Sequence, residues 1–497
     1  MEFISDFVDT SKKMAPAAAN WWDSFTTAMT DGVGAVNDFI WGPVMLCFLV
    51  GTGVYLMFRL KFLPVRNLGY ALKEAFSRSS IDKNDSHGKG DITPFQSLMT
   101  ALSATIGTGN IVGVATAMTI GGPGALVWMW VSAFFGLATK YAESVLAVHY
   151  RITDEDGQMA GGPMYALKRG FRVKWLGSLL AVLFALFTVI ASFGIGNLTQ
   201  GHSIAEAVST TFGIPTWIAG VVIAVLIAVV VLGGIKSIGS VAAKVVPFMA
   251  IFYSVGAVIC ICMNAQNLPS GLADLFRSAF NDVAAAGGVA GATVAMAIRY
   301  GVERGVFSNE AGLGSAPIAA AAAKTDSACH QGYINMTGTF LDTIVVCTLT
   351  GLTIASSGLL RTINPATGEV FTGASLTIGA FGSGLGNIGS FIVTIGLILF
   401  AFSTILGWEY YGEKGLGYLV KSDKLRFVYR IVFSVVAYVG CVTELDFVWN
   451  FSDAANGLMA IPNLISLVVL AGLVVKLTNA YQDEVLTPQH RARKSRR

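Results

Sequence analysis

Apolar runs of membrane-span length recur along almost the whole chain. They lie near residues 40–60, 94–120, 124–148, 175–199, 216–234, 244–264, 286–322 (interrupted), 331–357, 388–411, 427–444 and 448–475. A bilayer core is about 30 Å thick, and about 20 apolar residues in a helix cross it. In hydrocarbon every backbone N–H and C=O must find a partner within the protein, and runs of this length satisfy that condition as helices. The expected fold is therefore an all-α integral membrane protein with about eleven transmembrane helices. Composition agrees: 13% of residues are charged and 54% hydrophobic, against about 25% charged in ordinary soluble domains. A net charge of +3 gives no reason to expect a nucleic-acid partner.

Basic residues set the orientation. With the C-terminus placed in the cytoplasm, segments 59–92, 149–174, 235–244, 323–330, 412–430 and 476–497 carry 26 of the 33 Lys and Arg, and the opposite loops carry 4. Cytoplasmic loops are enriched in Lys and Arg. The N-terminus is expected outside, and the tail "RARKSRR" inside against anionic headgroups. Residues 1–39 lack the basic start of a signal peptide and read as an extracytoplasmic lead-in. The six cysteines show no zinc spacing and read as small buried hydrophobes. The longest polar connection, 61–93, reads as an amphipathic cytoplasmic helix followed by a polar loop.

Two spans carry interruptions. Residues 103–113 read "SATIGTGNIVG", placing Gly107, Thr108, Gly109 and Asn110 mid-span. Residues 299–317 read "RYGVERGVFSNEAGLGSAP", with Gly301, Gly305, Gly312, Gly314 and Pro317 among Arg299, Glu303, Arg304 and Glu310. Glycine frees the backbone from helical dihedrals, although close helix packing alone also selects it. If span 40–60 is accessory, the other ten divide into two fives. The breaks then occupy the first helix of each half, and an odd number of spans inverts the second half. Paired interruptions in inverted halves point to a secondary-transporter site. A broken helix offers N–H groups at one new end and C=O groups at the other. The first suit a carboxylate, the second a cation or ammonium. Gly107, Thr108 and Gly109 would present N–H groups, and Ser103 to Ile106 carbonyls.

The stretches "ATIGTGNIVGVATAMTIGGPGALVWMWVSAFFGLATKYAESVLA" (104–147) and "RGVFSNEAGLGSAPIAAAAAKT" (304–325) are long and particular. On them the chain resembles the alanine or glycine:cation symporter family, within the amino acid–polyamine–organocation group. The resemblance spans nearly the whole chain and implies a leucine-transporter-type bundle of five plus five inverted helices, with one extra N-terminal helix. The corresponding division is an accessory helix at 40–60, a cytoplasmic linker at 61–93, a first repeat at 94–264, a second repeat at 265–475 and a basic tail at 476–497. It also implies a sodium ion between core helices 1 and 8, here held by carbonyls of Ser103, Ile106 and Phe400 and hydroxyls of Ser403 and Thr404. The bland reading of the two hydroxyls is back-bonding within their own helix. Asn110 and the Thr105 carbonyl match the place where some relatives hold a second sodium, and a second ion stays open. For substrate the resemblance implies Gly107, Thr108 and Gly109 on the carboxylate, with Asn110 beside them. Carbonyls from Gly305 to Ser308 would face the ammonium, and Phe193, Asn197, Phe307 and Trp408 would form walls. Packing alone would also account for those rings.

Lys140 and Glu143 share a helix face and read first as a structural pair. Arg299 and Glu303 could pair in the same way. Glu310 lines an inner vestibule or couples protons, and Asp342 and Glu409 raise the same question. The expected function is import of a small neutral amino acid, alanine or glycine, with Na⁺ by alternating access in the cytoplasmic membrane. A proton-coupled or uncoupled carrier of the same fold is the alternative. No cofactor is expected beyond the coupling ion. The spans hold no Ser/His/Asp or HExxH constellation, so an enzyme is not expected.

Overall fold

The fold is taken from a computed structural model, which describes residues 32, 34–37, 39–82, 87–282, 292–365, 368–443 and 445–487. The expected headgroup-binding tail beyond 487 and most of the lead-in lie outside the described residues.

Helix α1 (Pro43–Arg59) precedes a short helix α2 (Leu68–Ala75). The first broken segment follows as α3 (Pro94–Thr105) and α4 (Val114–Ile120), then α5 (Ala125–His149). Strands β1 (Ile152–Thr153) and β2 (Met159–Ala160) pair antiparallel, Ile152 opposite Ala160, and lead into α6 (Pro163–Gly170). Helix α7 (Lys174–Phe193) runs through a π-turn at Gly194–Leu198 into α8 (Thr199–Phe212). Next come α9 (Thr216–Val231), α10 (Gly234–Met263) and α11 (Leu268–Phe280). The second broken segment is α12 (Val294–Asn309) and α13 (Ala316–Ala321). Helix α14 (Ala328–Thr339) continues through a π-turn at Phe340–Cys347 into α15 (Thr348–Ser357). The chain ends in α16 (Gly373–Leu385), α17 (Asn387–Leu419), α18 (Asp423–Val442) and α19 (Leu445–Tyr481).

Among the described residues seven continuous helices are long and apolar enough to cross a bilayer, and the pair α3–α4, bent by 51°, makes an eighth. The two apolar helices α1 and α9 are shorter. Packing follows the rule of a lipid solvent, in which polar residues turn inward. Helix α9 buries little beyond Ala219, Gly220, Ile223, Ile227 and Val231 and turns Val221, Val222, Val225, Leu226 and Val229 outward. The first broken segment is buried almost entirely, and the second is buried from Gly301 onward. The start of α3 is fixed locally. Pro94 opens it, Thr93 Oγ1 accepts from Gln96 N–H (3.1 Å), and Gln96 Oε1 accepts from Thr93 N–H (3.1 Å). That reciprocal cap satisfies two donors that a helix start otherwise leaves orphaned.

Four stretches depart from expectation. The span expected to end near 199 continues to Phe212, because its polar residues face the bundle: Thr199 and Ser452 hydroxyls meet at 2.7 Å. The expected loop 235–244 is the first third of α10. Helices α11 and α16 occupy stretches read as connections. The ends of the broken segments are tied together by bridges between Lys89 and Thr325 and between Ile92 and Ala323. Arg151 donates to the carbonyls of Lys89, Ala321, Ala323 and Thr325 at 2.7–3.0 Å.

Candidate functional site

Helix α3 stops because Ile106 leaves the helical region, with ψ 91°. The chain re-enters through a π-turn at Gly109–Gly113. Both glycines are required by space. A Cβ on Gly107 would lie 2.4 Å from Thr404 Oγ1, and one on Gly109 would lie 3.0 Å from Ser308 Cα and 3.3 Å from Phe307 Cδ1. The first break therefore packs against α17 and the last turn of α12. The freed N–H groups are held by side-chain oxygens: Gly107 N–H donates to Asn110 Oδ1 (2.9 Å) and Thr108 N–H to Gln200 Oε1 (3.2 Å). An amide oxygen at a helix start is a neutral stand-in for a carboxylate oxygen.

Five oxygens gather on the other side of the break. Ser403 Oγ donates to Phe400 O (2.9 Å) and reaches Ser103 O (3.4 Å). Thr404 Oγ1 donates to Phe400 O (3.0 Å) and reaches Ile106 O (3.3 Å). Back-bonding within α17 and convergence on α3 thus occur together. All five residues are buried, at most 1% exposed. The carbonyls of Ser103 and Ile106 stand at the negative end of α3's dipole. Three carbonyls and two hydroxyls, with no fixed charge among them, form a cradle that suits a weakly held monovalent cation.

The second break is narrower than its sequence suggests. Helix α12 runs unbroken from Val294 to Asn309, and the chain departs at Glu310 (φ 56°), Gly312 (φ 100°) and Gly314 (φ 82°). Gly301 and Gly305 break nothing. Notional Cβ atoms there would meet Ala125 O at 2.5 Å and Ser132 Oγ at 2.8 Å, so these glycines let α12 press against α5. The carbonyl of Gly305 accordingly lies within an intact helix, and that of Val306 is taken by Glu310 N–H (2.8 Å). Of the carbonyls from Gly305 to Ser308 expected to face an ammonium, those of Gly305 and Val306 are thus engaged within the helix and its cap.

Asp342, in the π-turn after α14, lies between the breaks and is fully buried. It accepts from Asn110 Nδ2 (2.7 Å), Ser308 Oγ (2.8 Å) and Thr343 Oγ1 (2.8 Å). Asn309 Nδ2 donates to Thr343 Oγ1 (3.0 Å). Such donor-rich surroundings stabilise a buried carboxylate.

The structure brings Ser103, Ile106, Gly107, Thr108, Gly109, Asn110, Phe307, Ser308, Phe400, Ser403 and Thr404 into one buried region. Trp408 lies against the π-turn after α7, where a Cβ on Gly196 would meet its Cβ at 2.2 Å, and its indole faces Glu310. Phe193 and Asn197 turn elsewhere. The Phe193 ring packs on Tyr429 and Phe433 of α18 (5.5 and 5.4 Å), and Asn197 Nδ2 donates to Phe433 O (2.7 Å). These contacts are with α18 rather than with the first break, where both residues were expected as cavity walls. Gln200 takes that place; the extra residue of the π-turn rotates it toward the first break, which helical spacing alone does not foretell. Asp342 carried a signal, being an acid inside an apolar span.

A sequence model described as the Sodium:alanine symporter family matches residues 26–495. The chain is 53% identical over 451 residues to the Sodium/alanine symporter AgcS of Methanococcus maripaludis, covering 91% of this chain and 97% of that one. It is 38% identical over 450 residues to the "Probable sodium/glutamine symporter GlnT" of Bacillus subtilis, covering 90% of each. Among solved structures it superposes on MhsT in complex with L-phenylalanine with a TM-score of 0.55 at 11% identity, covering 79% of this chain and 99% of that one. At that identity the likeness is one of fold.

Proposed function

Because this chain belongs to the sodium:alanine symporter family, we propose that it imports a small neutral amino acid, alanine or glycine, together with Na⁺ by alternating access. The observation that carries this reading is the convergence of Ser403 and Thr404 hydroxyls and the Phe400 carbonyl on the Ser103 and Ile106 carbonyls. When Na⁺ binds, the hydroxyl hydrogens turn away and the five oxygens point lone pairs at the ion. Because no carboxylate joins them, the ion remains free to leave.

The substrate carboxylate takes the Thr108 N–H now held by Gln200 Oε1, and the amides of Gly107 and Gly109 flank it. The ammonium lies toward Asp342 beside Ser308, while Phe307 and Trp408 restrict the side chain to a small one. Sodium at α3 and α17 stabilises the outward-open arrangement, and the bound amino acid permits closure. In this reading the chain makes eleven spans, with α1 accessory and two inverted repeats at 94–264 and 265–475. In this arrangement the N-terminus is outside and the Lys/Arg-rich connections are in the cytoplasm of a cell bounded by this membrane.

Counterflow into proteoliposomes with a panel of small L- and D-amino acids, each with and without Na⁺, tests the reading. Alanine or glycine exchange that requires Na⁺ supports it. Exchange indifferent to Na⁺, and driven instead by a pH gradient, would select a proton-coupled carrier of the same fold.

A further inference from the structure

The second break holds charge that neither the sodium cradle nor the amino-acid site uses. Lys140 and Glu143 on α5 and Glu310 at the break are each at most 2% exposed. Glu143 Oε1 accepts from Gly312 N–H (3.0 Å) and Asn463 Nδ2 (2.6 Å). Glu310 Oε2 accepts from Ser315 Oγ (2.7 Å). Lys140 Nζ, Glu143 Oε2 and Glu310 Oε1 have no hydrogen-bond partner among the described residues. The groups facing this cluster are Asp342 from the π-turn after α14, Trp408 and Tyr411 from α17, and Asn463 from α19.

Three carboxyl groups thus share one ammonium in a low-dielectric interior. Asp342 accepts from three donors, which favour its carboxylate form. Glu143, with a main-chain amide and a side-chain amide on one oxygen, is the natural counter-charge for Lys140. Glu310 is left as a carboxylate without a cation of its own, which a buried site does not tolerate uncompensated. A metal ion is a poor remedy, because the Lys140 ammonium repels it and the described residues contain no group of three or more His, Cys, Asp or Glu fit to hold one. A proton needs no coordination shell. Glu310 is also the residue at which the backbone turns left-handed, so any reorientation of the break moves its carboxyl group.

We propose that Glu310 is a proton-carrying site, so that one H⁺ moves with the amino acid and Na⁺ in each cycle. In the outward-open arrangement a hydronium ion gives its proton to Glu310 Oε1, forming an O–H bond and leaving water. In the inward-open arrangement that bond breaks, and the proton passes to water on the cytoplasmic side. Lys140 and Glu143 balance each other throughout, so the cluster changes by the single charge that the proton on Glu310 brings. The proposal rests on the symport reading above.

The test is internal pH, read with an entrapped dye in proteoliposomes, after alanine is added under an inward Na⁺ gradient. The expected result is alanine-dependent acidification with wild type. It is lost in Glu310→Gln, which still exchanges alanine, and retained in Glu310→Asp. Sodium-driven alanine uptake at constant internal pH would overturn the proton site while leaving symport intact. So would acidification by Glu310→Gln equal to wild type. Acidification that persists without Na⁺ would support the site and overturn the sodium reading instead.

Discussion

Between Thr105 and Val114 the chain departs from helix over two glycines and presents only neutral dipoles: amides on one side, carbonyls and hydroxyls on the other. Between Asn309 and Ala316 it departs over an acid and two left-handed glycines, and gathers Glu310, Glu143 and Lys140 around the gap. The first arrangement suits reversible binding, since ion–dipole contacts without fixed charge would let an ion leave. The second is costly unless its charges stay balanced, so it suits a group that responds to the state of the protein. One fold thereby separates holding from switching.

Removing a charge near the second break should have the largest consequence. Arg304 Nη1 and Nη2 donate to both Asp453 oxygens (3.2 and 2.8 Å), a buried pair joining α12 to α19. Asp453→Asn removes the bidentate partner and leaves Glu303, at 3.3 Å, to balance the buried guanidinium, so stability should fall by about 3 kcal/mol, the low end for breaking a buried pair. A lowered unfolding temperature in detergent checks this, and an unchanged one would mean that charge there is not structural. At the first break, Gly107→Ala places a methyl group against Thr404 Oγ1. Uptake should fall by about 100-fold, the scale of a ~1 Å misplacement in a site, with folding intact by size-exclusion profile. Thr404→Ala removes one of the five oxygens, and its sodium activation constant should rise about tenfold, or ~1.4 kcal/mol. Equal sodium dependence in mutant and wild type would dissolve the distinction between the breaks. The smallest effect belongs to the acidic hairpin tip. Glu155 pairs with Lys421 at 2.6 Å, but both side chains are more than two-thirds exposed. Glu155→Gln should leave uptake rates within about twofold of wild type, as exposed pairs contribute little.

The first break was legible in the sequence because a second interruption lies at the matching place of the other half, and because Ser403 and Thr404 fall one turn after Phe400. Its contacts with α17 follow from that spacing and the family resemblance. The second break was legible only in outline. Gly301 and Gly305 look like helix breakers, yet they serve close packing against α5, and nothing local distinguishes the two uses. Phe193, Asn197 and Gln200 straddle a π-turn, and one extra residue there rotates the face that follows. A residue count along a regular helix therefore does not foretell that Gln200 reaches the first break. The charge cluster could be named residue by residue, but not assembled, since Lys140, Glu310 and Asn463 come from elements far apart in the chain.

A density map of the protein reconstituted with Na⁺ and alanine tests the central claim most directly. The account predicts a compact peak among the carbonyl oxygens of Ser103, Ile106 and Phe400 and the hydroxyls of Ser403 and Thr404, with both hydroxyls turned off the Phe400 carbonyl. A map in which those hydroxyls still donate to Phe400, with no peak between α3 and α17, would contradict it.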